Sequence, residues 1–272
     1  FFLVACKEAP ENVVIAGDSW AFFTCNNQSL DLAFKNAGLE KIAATNSDCA
    51  ATTMPDIRAE NWLVSKTHIL TLLALQNPDV KVLYLSLGGN DLINHWNKGM
   101  SYAEEQRLFK TVQDHLTTII AIYKKTRPDL KILISGYDYP RFNERTLVPP
   151  YQRAYELMGK PTPEQINQSL IQFSDSMTKY VNREDVFYIH HLGLMQYYFG
   201  NPSQGLAAFQ TLPPDQISSK EHPAQYGGDP RLQTDEAALL SVNKVVDSFH
   251  LSKSGYNKLA DHAVQIYLKD WF

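Results

Sequence analysis

The sequence has no excess of basic residues and no long apolar run. Its 272 residues include 25 Lys and Arg against 29 Asp and Glu, which gives a net charge of −4 at pH 7. Nucleic-acid binding depends on Lys and Arg that neutralise phosphates, so this balance argues against nucleic acid as a partner. A membrane-spanning helix needs roughly 18 consecutive apolar residues, and no run of that length occurs. We therefore expect a soluble globular body.

The sequence also lacks internal repeats, low-complexity tracts and obvious linkers. It contains neither the G-x-G-x-x-G pattern nor a P-loop, which removes the usual sequence signals of a nucleotide site. Hydrophobic residues make up 44% of the chain, enough for a packed core. We expect an N-terminal segment over residues 1–11 and a single domain over residues 12–272.

The first residues have two interpretations. Residues 3–6, Leu-Val-Ala-Cys, resemble a bacterial lipobox, in which Cys6 would be lipidated after removal of a signal peptide. The alternative is a buried or pairing first strand that contains a cysteine. The lipobox interpretation predicts membrane attachment through Cys6 and a place in the bacterial cell envelope or periplasm, with secretion as the second choice.

Cysteine is scarce, and its odd count matters in an exported protein. The chain has three cysteines. Lipidation would account for Cys6, and Cys25 and Cys49 would then be free to form a disulfide in an oxidising compartment. Both could equally be small buried apolar residues, which is common for cysteine. The sequence leaves these two alternatives open.

Short β-branched runs alternate with helical patterns along most of the chain. The predicted strands are residues 12–16, 41–45, 81–87, 131–135 and 185–189. The predicted helices are residues 20–36, 56–77, 102–126, 164–181 and 255–269. This alternation predicts a doubly wound, three-layer α/β/α fold with a parallel sheet of about five strands. Its ligand site should lie at the carboxyl ends of the strands.

The regular pattern loosens between about residue 137 and residue 246, where proline repeatedly interrupts it. Irregular stretches of this kind commonly carry function-specific loops. We therefore expect a long insertion at 137–246 within the single domain.

Ser19 lies in the sequence Gly17-Asp18-Ser19-Trp20, where the first strand meets the first helix. A serine at this position exposes its hydroxyl at the edge of the sheet, and N–H groups at the start of the helix can stabilise an oxyanion. The simpler interpretation is a serine that caps the helix.

Asp247 stands three residues before His250, just ahead of the last predicted helix. A loop of that length can place the carboxylate against imidazole Nδ1 and leave Nε2 free to accept a proton from a serine. Taken alone, such a pair is usually a capping Asp and a surface His.

The segment 88–91, Gly-Gly-Asn-Asp, follows the most apolar strand. Two glycines permit a sharp turn and the close approach of a ligand, and the Asn90 amide is a donor suited to a developing oxyanion. Alone, the segment is ordinary turn chemistry. Because all three motifs fall at one edge of the same predicted sheet, we expect them to form one site.

Together these motifs resemble those of the SGNH or GDSL-type serine esterases and lipases. The match runs from residue 12 to residue 267, with the elements in the family's order. The resemblance implies a flavodoxin-like fold and hydrolysis of carboxylic esters without a metal or organic cofactor. It implies that Ser19 is the nucleophile, that Asp247 and His250 are the acid and base, and that Asn90 and the Ser19 N–H hold the oxyanion.

One motif departs from the family pattern. The family has a glycine whose N–H is a further oxyanion donor, and the best match here is Ala50 in the loop 46–53. A backbone N–H survives this replacement where φ is negative, so the Ala50 N–H is the expected third donor. Trp20 and Gly89 are expected to contact the substrate. The aromatic stretch 192–199 belongs either to a substrate pocket or to ordinary core.

The resemblance predicts attack of Ser19 on an ester carbonyl, proton transfer by His250, and an acyl-enzyme that water hydrolyses. The expected substrates are small-molecule, glycan or lipid esters, namely short-chain acyl esters, lysophospholipids or O-acetyl groups. The sequence does not choose among them. The alternative is a non-catalytic ligand-binding module on a flavodoxin-like scaffold, in which Ser19 would be inert.

Overall fold

The computed structural model describes residues 11–44, 49–142, 149–214, 226–243 and 245–272. Residues 1–10 of the N-terminal segment, with Cys6, lie outside these residues. The lipobox interpretation therefore stays a prediction.

A four-stranded parallel sheet forms the middle layer of the molecule, with the strand order β1-β2-β3-β4. The strands are β1 (Val13–Gly17), β2 (Val82–Ser86), β3 (Lys131–Ser135) and β4 (Val186–Ile189). Every residue of β1 and β2 is buried, as expected for strands covered by helices on both faces. The predicted three-layer α/β/α fold is confirmed.

The expectation of about five strands is wrong for the run 41–45. Within the described residues this run contributes only one bridge, between Ala43 and Glu11. The Ala43 carbonyl accepts the N–H groups of both Asn12, at 2.9 Å, and Val13, at 3.1 Å, and Thr45 lies outside the described residues. In the described part of the chain the sheet has four strands, and Ala43 lies beside β1.

Eleven α-helices surround the sheet in the described parts of the chain. They are α1 (Ser19–Asn26), α2 (Ser29–Asn36), α3 (Cys49–Thr52), α4 (Ala59–Trp62), α5 (Lys66–Ala74), α6 (Gly89–His95), α7 (Tyr102–Thr126), α8 (Pro149–Leu157), α9 (Pro163–Tyr180), α10 (Leu194–Phe199) and α11 (Lys253–Ile266). None of them is both long and apolar enough to cross a bilayer. A two-stranded antiparallel hairpin of β5 (Leu239–Val242) and β6 (Val245–Leu251) precedes α11.

Alternate residues of the strands build two cores, one on each face of the sheet. Val13 and Ile15 of β1 pack with α2 and α11 on one face. Val14 and Ala16 pack with α7 and α9 on the other. This alternation follows from the two-residue period of a β-strand.

Two of the predicted helices are each divided. The run 20–36 breaks at Gln28, which has a φ of +56° in the left-handed region, and so forms α1 and α2. The run 56–77 separates into α4 and α5 because Ser65 caps α5, its hydroxyl accepting the His68 N–H at 3.1 Å. In contrast, α7 has the predicted bounds.

A disulfide joins the end of α1 to the start of α3. Cys25 and Cys49 are bonded with their sulfur atoms 2.14 Å apart. Because α3 packs against β1 and α5, this bond links α1 covalently to a helix that contacts both of these elements.

Candidate active site

A cavity of about 380 Å³ opens at the carboxyl ends of the parallel strands. It brings together Ser19 and Trp20 after β1, Gly89 and Asn90 after β2, and His250 from the hairpin. Ligand sites of open α/β sheets lie at this edge. The structure therefore collects most of the site residues that the sequence predicted.

Ser19 is the first residue of α1 and is 6% exposed. Asp18 is the residue that caps the helix, with its Oδ1 accepting the Trp20 N–H at 3.0 Å. Gly17 has a φ of +134°, and a Cβ at this position would lie 1.8 Å from the Ser86 carbonyl oxygen, so only glycine fits. Since Asp18 satisfies the cap, the simpler interpretation of Ser19 as a helix cap is wrong. Ser19 instead lines the cavity.

Tyr137 links the first motif to the second. Its hydroxyl donates to Asp18 Oδ2 at 2.6 Å and accepts the Gly89 N–H at 2.8 Å. Burial raises the pKa of Asp18 to about 7, and the hydrogen bonds from Tyr137 and Trp20 oppose this rise. Burial and the adjacent Asp18 carboxyl raise the pKa of Tyr137 well above its ordinary value, so the phenol keeps its proton and can donate it.

Asp247 and His250 lie on β6 rather than in the loop that the sequence suggested. Asp247 Oδ2 is 2.9 Å from His250 Nδ1. The other oxygen, Oδ1, accepts the backbone N–H groups of Phe249, at 2.7 Å, and of His250, at 2.8 Å. Burial opposes the ionisation of Asp247, but the hydrogen bonds and charge of His250 outweigh it and lower the pKa of this carboxyl. The carboxylate thus orients the ring and leaves Nε2 available.

Tyr151, on α8, is a third partner of this pair, and sequence reasoning missed it. Its hydroxyl donates to Asp247 Oδ2 at 2.8 Å and lies 3.2 Å from His250 Nδ1. Burial and the Asp247 charge raise the pKa of Tyr151, which keeps the hydroxyl protonated. No local pattern signals this contact, because Tyr151 and Asp247 are 96 residues apart in the chain.

Asn90 lines the cavity, but its amide is engaged by the neighbouring loop. Nδ2 donates to the carbonyl oxygens of Pro55, at 3.0 Å, and Ile57, at 2.9 Å. These two bonds use both of its N–H groups. An oxyanion would therefore have to replace one of them.

Two of the segments that the sequence analysis considered for the site do not line this cavity. Ala50 is an exposed residue of α3 and is not among the described residues that line the cavity. The stretch 192–199 forms α10 and the turn before it, with Leu194 and Met195 buried in the core on the α11 face of the sheet. The core interpretation of that stretch is therefore correct, because its apolar side chains pack with residues of the sheet and of α11.

The side chains that could bind a metal ion are dispersed over the described ranges of the chain. Within them, no group of three or more His, Cys, Asp and Glu side chains is arranged to hold a metal ion.

Comparison with known proteins identifies the family of this chain and similar solved structures. The model of the family described as GDSL-like Lipase/Acylhydrolase matches residues 11–263. Among solved structures, a protein of Bacteroides fragilis assigned as an acylhydrolase is 12% identical, covers 97% of this chain and 93% of its own, and has a TM-score of 0.52. The extracellular lipase of Streptomyces rimosus is 11% identical over 94% of this chain and 98% of its own, with a TM-score of 0.49. The likeness to the first of these supports the fold alone. The comparison with curated proteins gives no significant match.

Proposed function

The chain belongs to the GDSL-like lipase/acylhydrolase family and is a carboxylic ester hydrolase, and we propose that it acts through an acyl-enzyme on Ser19. One observation carries this proposal. Ser19 and His250 line the same cavity, and the Asp247 carboxylate lies 2.9 Å from His250 Nδ1. A nucleophile, a base and a group that orients the base are thus placed at one strand edge, as serine-based acyl transfer requires.

In the proposed reaction, His250 Nε2 accepts the proton of the Ser19 hydroxyl as Oγ attacks the ester carbonyl. Asp247 holds the Nδ1–H tautomer and stabilises the imidazolium that forms. His250 then returns the proton to the departing alcohol, which leaves the acyl group on Ser19. Water attacks this acyl group with His250 again as the base, which releases the acid and restores Ser19.

We assign the oxyanion to two donors. The Ser19 N–H belongs to the first turn of α1 and has no acceptor within the helix. The Asn90 amide lies at the cavity wall and contributes after exchanging its bond to Pro55 or Ile57. Ala50, the third donor expected from the sequence, is not needed in this arrangement.

Labelling with a fluorophosphonate, followed by mass-spectrometric mapping of the modified residue, tests the proposal. The wild type should be labelled at Ser19, Ser19→Ala should not be labelled, and His250→Ala should be labelled far more slowly. His95→Ala is the matched control, since His95 ends α6 outside the cavity lining, and it should react like the wild type. Absence of labelling at Ser19, under conditions where a known serine hydrolase reacts, would overturn the mechanism.

The disulfide supports a further proposal, that the protein works outside the reducing cytoplasm. Disulfides persist mainly in oxidising compartments such as the periplasm. Attachment through a lipidated Cys6 would place the enzyme at the cell envelope. Incorporation of labelled fatty acid by the full-length precursor in a bacterial host, and its loss in Cys6→Ser, tests the attachment.

A further inference from the structure

The cavity that holds Ser19 is walled mainly by apolar side chains from three helices and the hairpin. We call these side chains the apolar wall: Ile93, Trp96, Met158, Ile166, Leu170 and Phe249. They come from α6 and the residue that follows it, from the residue that follows α8, from α9 and from β6.

Half of the six side chains of the apolar wall belong to a third core, and Leu170 packs against the core on the α7 face of the sheet. Trp96, Met158 and Ile166 form a cluster with Phe142 and Tyr155, separate from the two cores that flank the sheet. Packed interiors leave few voids larger than a water molecule. A cavity of about 380 Å³ beside this cluster falls instead in the size range of small-molecule sites.

Two of the three carboxyl groups that line the cavity are engaged by the protein itself, and the third belongs to the exposed residue Asp56. Asp138 accepts the N–H groups of Tyr139, Gly193 and Met195 at 2.6 to 2.7 Å. Asp18 is bound by Tyr137 and Trp20. These carboxyl groups have few acceptor positions left for the hydroxyls of a sugar.

No cationic side chain offsets the acidic ones. Of the described residues that line the cavity, none is Lys or Arg. A phosphate or a free carboxylate inside the cavity would therefore find no fixed positive partner. The interior of the cavity fits a neutral, apolar group.

We propose that the apolar wall is an acyl pocket, which holds the chain of a medium-length acyl ester while its carbonyl lies at Ser19. This inference rests on the proposed function and names its substrate class. A group the size of a water molecule takes up roughly 30 Å³, so a cavity of about 380 Å³ has room for on the order of ten methylene-sized groups. An acetyl group would leave most of this space without apolar contacts.

Ala154 is the residue through which the length of the pocket can be changed. It is a half-buried residue of α8 that lines the cavity, and it has the smallest side chain on this side. A larger side chain at this position would occupy the space of the acyl chain. Gln152, on the same helix, is exposed and does not line the cavity, so it provides a matched control.

The test is the dependence of kcat/KM on chain length, measured with p-nitrophenyl esters from acetate to dodecanoate. For the wild type, kcat/KM should rise by about fourfold per added methylene until the pocket is filled, since each buried methylene contributes a similar free energy. Ala154→Phe should lower the ratio of decanoate to acetate activity at least tenfold, and Gln152→Phe should leave that ratio unchanged. Ile93→Phe, on α6, should act in the same direction and serves as the test if Ala154→Phe does not fold.

The outcomes separate the two proposals. A wild type that is labelled at Ser19 but shows no gain along the ester series would overturn the acyl pocket and leave the mechanism standing. Folded Ala154→Phe and Ile93→Phe with the wild-type profile would do the same. A wild type that is neither labelled at Ser19 nor active on any ester would overturn the proposed function.

Discussion

Replacing Asp247 with asparagine should remove the ability of His250 to act as a base. Asp247 Oδ1 accepts the N–H groups of Phe249, at 2.7 Å, and His250, at 2.8 Å. An amide nitrogen cannot accept, so the side-chain oxygen of the introduced asparagine would be held at this position. The NH₂ group would then face His250 Nδ1, which is 2.9 Å from Oδ2 in the native protein, and donate to it.

This donation would place the single ring proton of neutral His250 on Nε2. In the proposed mechanism Nε2 accepts the Ser19 proton, so the wrong tautomer would block the first step. In a comparable triad the same change lowers kcat by about 10⁴-fold, which corresponds to about 5 kcal/mol of transition-state stabilisation. The side-chain volume and both backbone hydrogen bonds are kept, so we expect the fold to survive.

The assay is kcat on a p-nitrophenyl ester at neutral pH, together with thermal unfolding of the same preparations. Ser19→Ala sets the floor of the activity. An Asp247→Asn variant that melts like the wild type and keeps more than about one hundredth of its kcat would refute the assignment of Asp247 as the residue that orients His250.

Three further changes have definite expectations. Tyr151→Phe removes one hydrogen bond to a carboxylate, worth about 1.5–3 kcal/mol, so kcat/KM should fall by about tenfold or more. An unchanged kcat/KM would show that Tyr151 does not assist the reaction. Replacing Cys25 and Cys49 with Ala opens a loop of 24 residues, so the free energy of unfolding in urea should fall by about 3.5 kcal/mol. Identical urea midpoints for the variant and the wild type would contradict this prediction. The pKa of Asp18 is raised from 3.8 to about 7, so the folded state binds its proton more tightly than the unfolded state does. The protonated Asp18 carboxyl should therefore stabilise the fold fully below about pH 4, and this stabilisation, about 4 kcal/mol, should be lost as the pH rises from 4 to 7. The corresponding part of the pH dependence of Tm should be absent in Asp18→Asn.

Local sequence patterns were sufficient for the elements whose signals lie within a few residues. The apolar run of β2 and the helical period of α7 predicted both elements, and a capping box of Ser101 and Glu104 marks the start of α7. The positions of Ser19 and Asn90 also followed from local patterns, because the carboxyl ends of parallel strands meet at one edge of the sheet.

Local patterns were insufficient where a contact elsewhere decides the conformation. The break at Gln28 and the hairpin that carries Asp247 have no strong periodic signal. Ala50 was assigned by its place in a motif, but α3 is bonded through Cys49 to α1 and packs against β1, and it lies away from the cavity lining. The stretch 192–199 shows the same limit, since an aromatic run is equally suited to a core and to a pocket.

The sequence by itself therefore determined the α/β/α class, the places of the four strands that form the sheet among the five it predicted, and the motifs that contain Ser19, Asp247 and His250. Only the tertiary structure decided what surrounds them. Tyr137 reaches Asp18 across 119 residues, and Tyr151 reaches Asp247 across 96. Such contacts depend on how α8 and the loop after β3 pack over the strand ends, through the burial of side chains far apart in the chain. Hydrophobic packing is not directional, so the sequence pattern shows that these side chains will be buried but not which partner each will meet.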